Sequence, residues 1–253
     1  SSTCLGLRTP LWAALEVLKE RHERAVALCR KVGTNCAALR DAEGLEWFNK
    51  GLTADDMATL GLLLSKWLPR LQDLYVDETG FGDAGVQALC ESLDHGAAPS
   101  LEFINLDGNK IGPAGAEALA AALRRGAMPK LGTLWLGRNP IGNQGVASLA
   151  APLRKLPLLK TLYVNNCVIG DEGVASLVAN LGKDDFKALE KLDLASNEIT
   201  DAGCATLSRA LDDGVCPALQ MLFVVNNPAS EAAQLAVRDA LLRAIARARS
   251  RVD

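Results

Sequence analysis

A segment of the form LxxLxLxxN-x-I-G returns along this chain at a spacing of 28 to 30 residues. Its clearest copies are LEFINLDGNKIG from Leu101, LGTLWLGRNPIG from Leu131 and LEKLDLASNEIT from Leu189. Self-similarity at such a period belongs to solenoids, in which each unit is one supersecondary element that cannot bury its apolar side alone. Inside the unit, apolar residues first alternate at a spacing of two and later recur four apart, so a short strand is followed by a turn and then a helix. The predicted class is α/β, with strands and helices in separate layers along one axis.

Units begin at Ala42, Leu71, Leu101, Leu131, Leu159, Leu189 and Leu219. The strand side of the core is expected from rows such as Leu74, Ile104, Leu134 and Leu162, and the helix side from Leu89, Leu119, Leu149 and Leu177. Residues 1–41 read as an N-terminal helical cap, 42–229 as seven repeats and 230–253 as a C-terminal helix and cap. The first helix is predicted over residues 10–32, with Thr9 as N-cap, Pro10 at its first position and Gly33 beyond its end. Its stripe of Leu11, Leu15, Leu18, His22, Ala25 and Cys29 is expected to cover the open end of the array.

Turn chemistry repeats with the unit. Asn109, Asn139, Asn197 and Asn227 share one position, where an amide can donate to and accept from neighbouring turns that would otherwise be buried without partners. Thr79 and Cys167 interrupt that row. Thr53, Thr200 and Ser230 are expected N-caps, with Gly82, Gly112, Gly142 and Gly170 at the same place. Asp83, Asp171 and Asp201 follow in the first turn, where the helix dipole favours an acid.

A formal net charge of -3 over 253 residues gives no general attraction to nucleic acid. No apolar stretch approaches the roughly 20 residues that span a bilayer. The seven cysteines include no CxxC pair, and their scatter through the core points to a reducing, cytoplasmic setting. The alternative is an organelle interior after loss of a targeting peptide, since the sequence opens on Ser. Only two histidines occur, His22 and His95, neither with a nucleophile or metal set nearby in sequence, and no GxxxxGK[ST] loop is present. No cofactor, metal or catalytic residue is expected.

The pattern LxxLxLxxNxIGxxGxxxLxxxL, as in LEFINLDGNKIGPAGAEALAAAL from Leu101, resembles the ribonuclease-inhibitor-type class of leucine-rich repeats over residues 42–241. That resemblance implies a horseshoe with a parallel sheet on its concave side, helices on its convex side and protein binding in the concavity. The same class serves immune receptors, tropomodulin-type actin-capping proteins and the Ran GTPase-activating protein. LYVNNCVIGDEG from Leu162 is similar to an inner loop of the last family, with Cys167 where that family keeps asparagine.

Strand residues between the buried rows face the concavity. The central column is Glu46, Tyr75, Asn105, Trp135, Tyr163 and Phe223, together with Asp193. Asp73 and Phe103 flank it on one side; Phe48, Asp77, Asp107 and Asn165 flank it on the other. In a chain only 4% aromatic, the rings of Tyr75, Phe103, Trp135, Tyr163 and Phe223 on one open face read as anchors for a partner. The acids at the N-terminal end point to a basic segment in that partner, with Arg138 available to one of its carboxylates. The expected role is a non-enzymatic protein or peptide binder, with a structural subunit of a large assembly or a GTPase-activating protein as alternatives. The C-terminal helix, rich in arginine, reads as the solvated outer face of a cap, with an acidic partner or a membrane surface as the alternative.

Overall fold

The computed structural model describes residues 3–178, 181, 182 and 185–250, with side chains from residue 12 onward. Two helices open the chain, α1 (Thr3–Val32) and α2 (Cys36–Arg40). Strand and helix then alternate: β1 (Gly44–Glu46), α3 (Ala54–Lys66), β2 (Asp73–Tyr75), α4 (Gly82–Glu91), β3 (Phe103–Asn105) and α5 (Pro113–Arg124). The later units contribute β4 (Thr133–Trp135), α6 (Gly142–Arg154), β5 (Thr161–Tyr163) and α7 (Asp171–Val178). They are followed by β6 (Lys191–Asp193), α8 (Asp201–Asp212), β7 (Met221–Phe223) and α9 (Glu231–Arg249).

The strands form one parallel sheet in the order β1 to β7, each in register with the same position of the next unit. Each helix packs on the helix of the following unit. Packed helices need 8–10 Å between axes and strands only about 4.8 Å, so the stack curves with the sheet inside. The layers close on the expected rows: Leu74, Ile104, Leu134, Leu162 and Leu192 are at most 5% exposed. Leu222, on the edge strand β7 of the described sheet, is only half-buried.

The asparagine row is a hydrogen-bond ladder. Asn139 Nδ2 donates to the carbonyls of Leu106 and Leu136 at 2.9 and 3.0 Å, while its Oδ1 accepts from the N–H groups of Asn109 and Ile111 at 2.8 and 3.0 Å. Asn197 and Asn227 repeat the pattern. The two interruptions keep the donor half of it. Thr79 donates its hydroxyl to the Val76 carbonyl at 3.2 Å, and Cys167 directs its thiol at the Leu136 carbonyl at 3.1 Å. Burial pushes the Cys167 thiol up to about 12, consistent with a neutral donor.

A second set of bonds joins helices across units: Asp83, Asp171 and Asp201 lie in the first turn of their own helices, as expected, and also reach the start of the next one. Asp83 accepts from the N–H groups of Gly112 and Gly115, at the start of the next helix. Asn143 does the same for Gly170 and Gly173, Asp171 for Thr200 and Asp201 for Ser230. The corresponding positions before Gly82 and Gly142 are Ala54 and Pro113, which have no side-chain acceptor. At those two junctions the glycine turns left-handed, with φ of 64° and 65°, and its N–H donates forward to the carbonyl of Asn109 or Cys167, each at 2.9 Å. Gly82 and Gly142 are thus first helical residues rather than caps, whereas Gly112, Thr53, Thr200 and Ser230 are N-caps.

The N-terminal helix departs from its predicted bounds. It starts at Thr3, so Thr9 is no cap and Pro10 lies inside the helix. Only its last turns reach the core, through Leu28, Cys29 and Val32, while Leu15, Leu18 and His22 are exposed. The side chain of Leu11 lies outside the described residues. At the other end, Arg243 grips Asp212 with two hydrogen bonds of 3.0 and 2.8 Å, and Arg247 donates to the last carbonyls of α8, those of Leu211 and Asp212, each at 2.7 Å. These two arginines thus finish the preceding helix, where cations are favoured, as part of the expected cap. Arg251 lies outside the described residues. Among the described residues, no helix is long and apolar enough to cross a membrane.

Candidate functional site

The inner face of the sheet is built from the first and third residues of each three-residue strand, because the middle residue points into the core. Tyr75, Phe103, Trp135 and Tyr163 are all half-buried there. They stack in series. Ring centroids lie 4.7 Å apart for Tyr75 and Phe103, 5.2 Å for Phe103 and Trp135, and 5.1 Å for Trp135 and Tyr163, with tilted or edge-on geometry. Such pairs add about 0.5–1.5 kcal/mol each beyond simple burial. Cross-strand stacking therefore does hold these rings, and it leaves their outer edges to water.

The series continues through a cation. Lys191 Nζ stands 4.8 Å from the Tyr163 ring centroid and 5.3 Å from that of Phe223, bridging β5 and β7. Phe223 is 37% exposed, with Met221 and Val225 beside it at 44% and 51%. Phe48, beyond the end of β1, is 54% exposed and Glu46 is exposed. Lys191 is the member that reading side chains one by one passes over. The signal was its register between Thr161 and Met221, which places an ammonium diagonally between two rings.

Asn105, expected in the exposed column, is buried at 6%. It lies in register between Tyr75 and Trp135, so large rings on both neighbouring strands overhang it. Its Oδ1 accepts from the N–H of Asp107 at 3.0 Å, a local turn that ends the strand, and Asp193 does the same for Ala195 at 2.9 Å. Asn165, half-buried, covers the spot where Gly137 has no side chain: a Cβ there would meet Asn165 Oδ1 at 2.6 Å.

Arg138 does not stand free for a partner. It sits at φ 56° and donates to Glu78 at 2.7 Å, with Asp107 4.0 Å away. Asp107 is the strained member of the acid group. Burial raises its carboxyl pKa, and Asp77 and Glu78 push the same way, while the Gly137 N–H and Arg138 pull against them. Asp107 Oδ1, just beyond β3, and Trp135 Nε1, on β4, are buried without hydrogen-bond partners. Tyr75 is likewise pushed up, by burial and then by Asp73, Glu46 and Asp77. Asp73 and Asp77 are half-buried, so the β1–β3 end of this face is acidic and the β5–β7 end carries Lys191.

A leucine-rich repeat family model matches residues 97–120, 155–178 and 188–208. No curated protein matches the chain by sequence. Among solved structures, the chain is similar to a tropomodulin C-terminal domain of Caenorhabditis elegans, with 16% identity over 78% of this chain and 97% of that one and a TM-score of 0.47. It is similar also to leiomodin-1 actin-binding site 2, with 13% identity over 66% and 92% of the two chains and a TM-score of 0.48.

Proposed function

We propose that this chain, a solenoid of leucine-rich repeats, is a protein-interaction module that holds a protein or peptide with a basic segment against the inner face of its sheet. The observation that carries this reading is the ring series from Tyr75 to Tyr163, extended by Lys191 to Phe223, with its edges in water. Rings already fixed by stacking lose little freedom when a guest covers them, which is what makes aromatic residues effective anchors. The acids beside the first strands supply attraction for the basic segment. One full helix per unit of 28 to 30 residues supports the ribonuclease-inhibitor type of repeat.

Binding rather than catalysis is favoured by what the candidate nucleophiles do. Burial pushes the thiols of Cys90 and Cys216 up to about 12, as it does Cys167. Cys167 has a structural bond to make, so the likeness of its segment to a GTPase-activating loop carries no catalytic residue with it.

The test is Trp135→Ala with Tyr163→Ala, compared with the unaltered chain by affinity capture and mass spectrometry after circular dichroism has shown equal folding. Loss of one set of partners by the double variant is the expected result. Identical capture by both chains removes the inner face as the binding surface and turns attention to the helical side, as in a subunit of a larger assembly.

A further inference from the structure

At the N-terminal end of the array an open trough of about 580 Å³ lies between α1 and α3. Its floor is apolar, formed by Ala25, Leu39, Leu63 and Leu68. Leu18 and Trp67 stand on its walls, 59% and 61% exposed. Exposed apolar surface is unfavourable by about 25 cal/mol per Å², and a contiguous patch of this kind marks a contact surface where scattered leucines would not.

The lining has helical spacing on both walls. Leu18, Arg21, His22 and Ala25 follow i, i+3, i+4 and i+7 on α1, and Thr59, Leu62, Leu63 and Lys66 follow the same steps on α3. The α1 stripe continues outward through Leu15 and Trp12, 47% and 64% exposed. From Trp12 to Ala25 it runs about 20 Å, close to four helical turns and longer than a compact ligand covers.

Charge selects the occupant. Arg21, Arg24, Arg40 and Lys66 line the trough and no carboxylate does. Arg24 meets Glu20 at 2.5 Å and Arg40 lies 3.6 Å from Asp41. Arg21 and Lys66, one on each wall, have no ion-pair partner among the described residues.

We propose that the trough receives an amphipathic helix of a partner protein, apolar on one face and lined with Glu and Asp along its flanks. The apolar face sits on Leu63 and Leu68 between Leu18 and Trp67, and the flanking carboxylates reach Arg21 on one wall and Lys66 on the other. This is helix-in-groove recognition with charge fixing which helix enters. It is separate from the inner face of the sheet and stands whether or not that face binds.

The probe is a labelled peptide of about eighteen residues with Leu at i, i+3, i+4 and i+7 and Glu on the flanks, beside a copy with Lys for each Glu, each titrated by fluorescence anisotropy against the full chain. The acidic peptide is expected to bind saturably and at least about tenfold more tightly than the basic one, and to weaken with salt. Cys36 lines the trough and is exposed, so its alkylation, followed by peptide mapping, slows as the acidic peptide fills the site. Trp67→Ala and Leu18→Ala, both at exposed positions that leave folding intact, each weaken binding by about tenfold. Arg21→Glu with Lys66→Glu inverts the preference. Equal affinity for the two peptides, or full binding by the Trp67→Ala chain, overturns the proposal. So does a concentration-dependent dimer in sedimentation velocity that Trp67→Ala abolishes, because a second copy is then the occupant.

Discussion

Asp107 and Asp56 are carboxylates whose folded environments act in opposite senses, and each sense fixes a pH dependence. Asp107 is raised by burial, and one of its oxygens is buried without a partner. A carboxyl with a higher pKa in the folded chain opposes folding above the unfolded value, about 3.9, and that penalty fades as pH falls through the folded value. Asp107→Asn keeps the shape and removes the charge. It should stabilise the chain by about 1 kcal/mol at pH 7 and by almost nothing below about pH 4, in urea titrations at the two pH values. At Asp56 burial also pushes upward, but Lys31 at 2.5 Å and the Thr53 N–H and hydroxyl overrule it and hold the carboxyl low. Its contribution is complete above the unfolded value and lost as pH falls through the folded one, so Asp56→Asn should lower stability by about 1 kcal/mol at pH 7 and converge with the unaltered chain in acid. If both variants destabilise at pH 7 the Asp107 assignment fails, and if both stabilise the Asp56 assignment fails.

At the scale of the element, the bond from one helix start to the next decides how each unit begins. Where Asp83 supplies an acceptor, Gly112 is an extended N-cap at φ -98°; where Pro113 supplies none, Gly142 swings to φ 65°. Asp83→Ala should therefore cost about 1 kcal/mol, with faster amide exchange at Gly112 and Gly115 of α5 rather than in α4, where the mutated residue lies. Faster exchange confined to α4 would mean that the aspartate serves its own helix. The rows of leucine and asparagine were legible because they repeat with the unit and burial acts on each copy alike. The crossing cap was less so, since donor and acceptor are 29 residues apart and the acid sits where a helix dipole alone would also want one. Asn143 held the clue. An uncharged residue in the same column makes the same bonds to Gly170 and Gly173, so an acceptor rather than a charge is what the column needs. The inner face was legible in its residues and not in their contacts. Asn105 vanished beneath its neighbours, and Arg138 turned to Glu78, because side-chain direction across strands is not written in the spacing of one unit.

Over the whole molecule the inner face has a direction. Its seven strands, about 4.8 Å apart, span roughly 30 Å, with the acids of β1–β3 toward one end, Lys191 on β6 toward the other and the rings of Tyr75 to Tyr163 along the middle. On the binding mode proposed above, a partner lying along the strand order would meet attraction for its basic segment at one end before its contacts with the rings were complete. Charges at the rim act mainly on the rate of encounter, and desolvated rings mainly on the rate of escape. Asp73→Asn with Asp77→Asn should thus slow association with a captured partner by about three- to tenfold at low salt, leave dissociation nearly unchanged, and flatten the dependence on ionic strength. Trp135→Ala with Tyr163→Ala should instead speed dissociation at every salt concentration. Surface plasmon resonance across a salt series separates the two. If neutralising the aspartates leaves both the association rate and its salt slope as they were, the acids do not steer the partner, and the basic segment ascribed to it has no support; the rings would then be judged on dissociation alone.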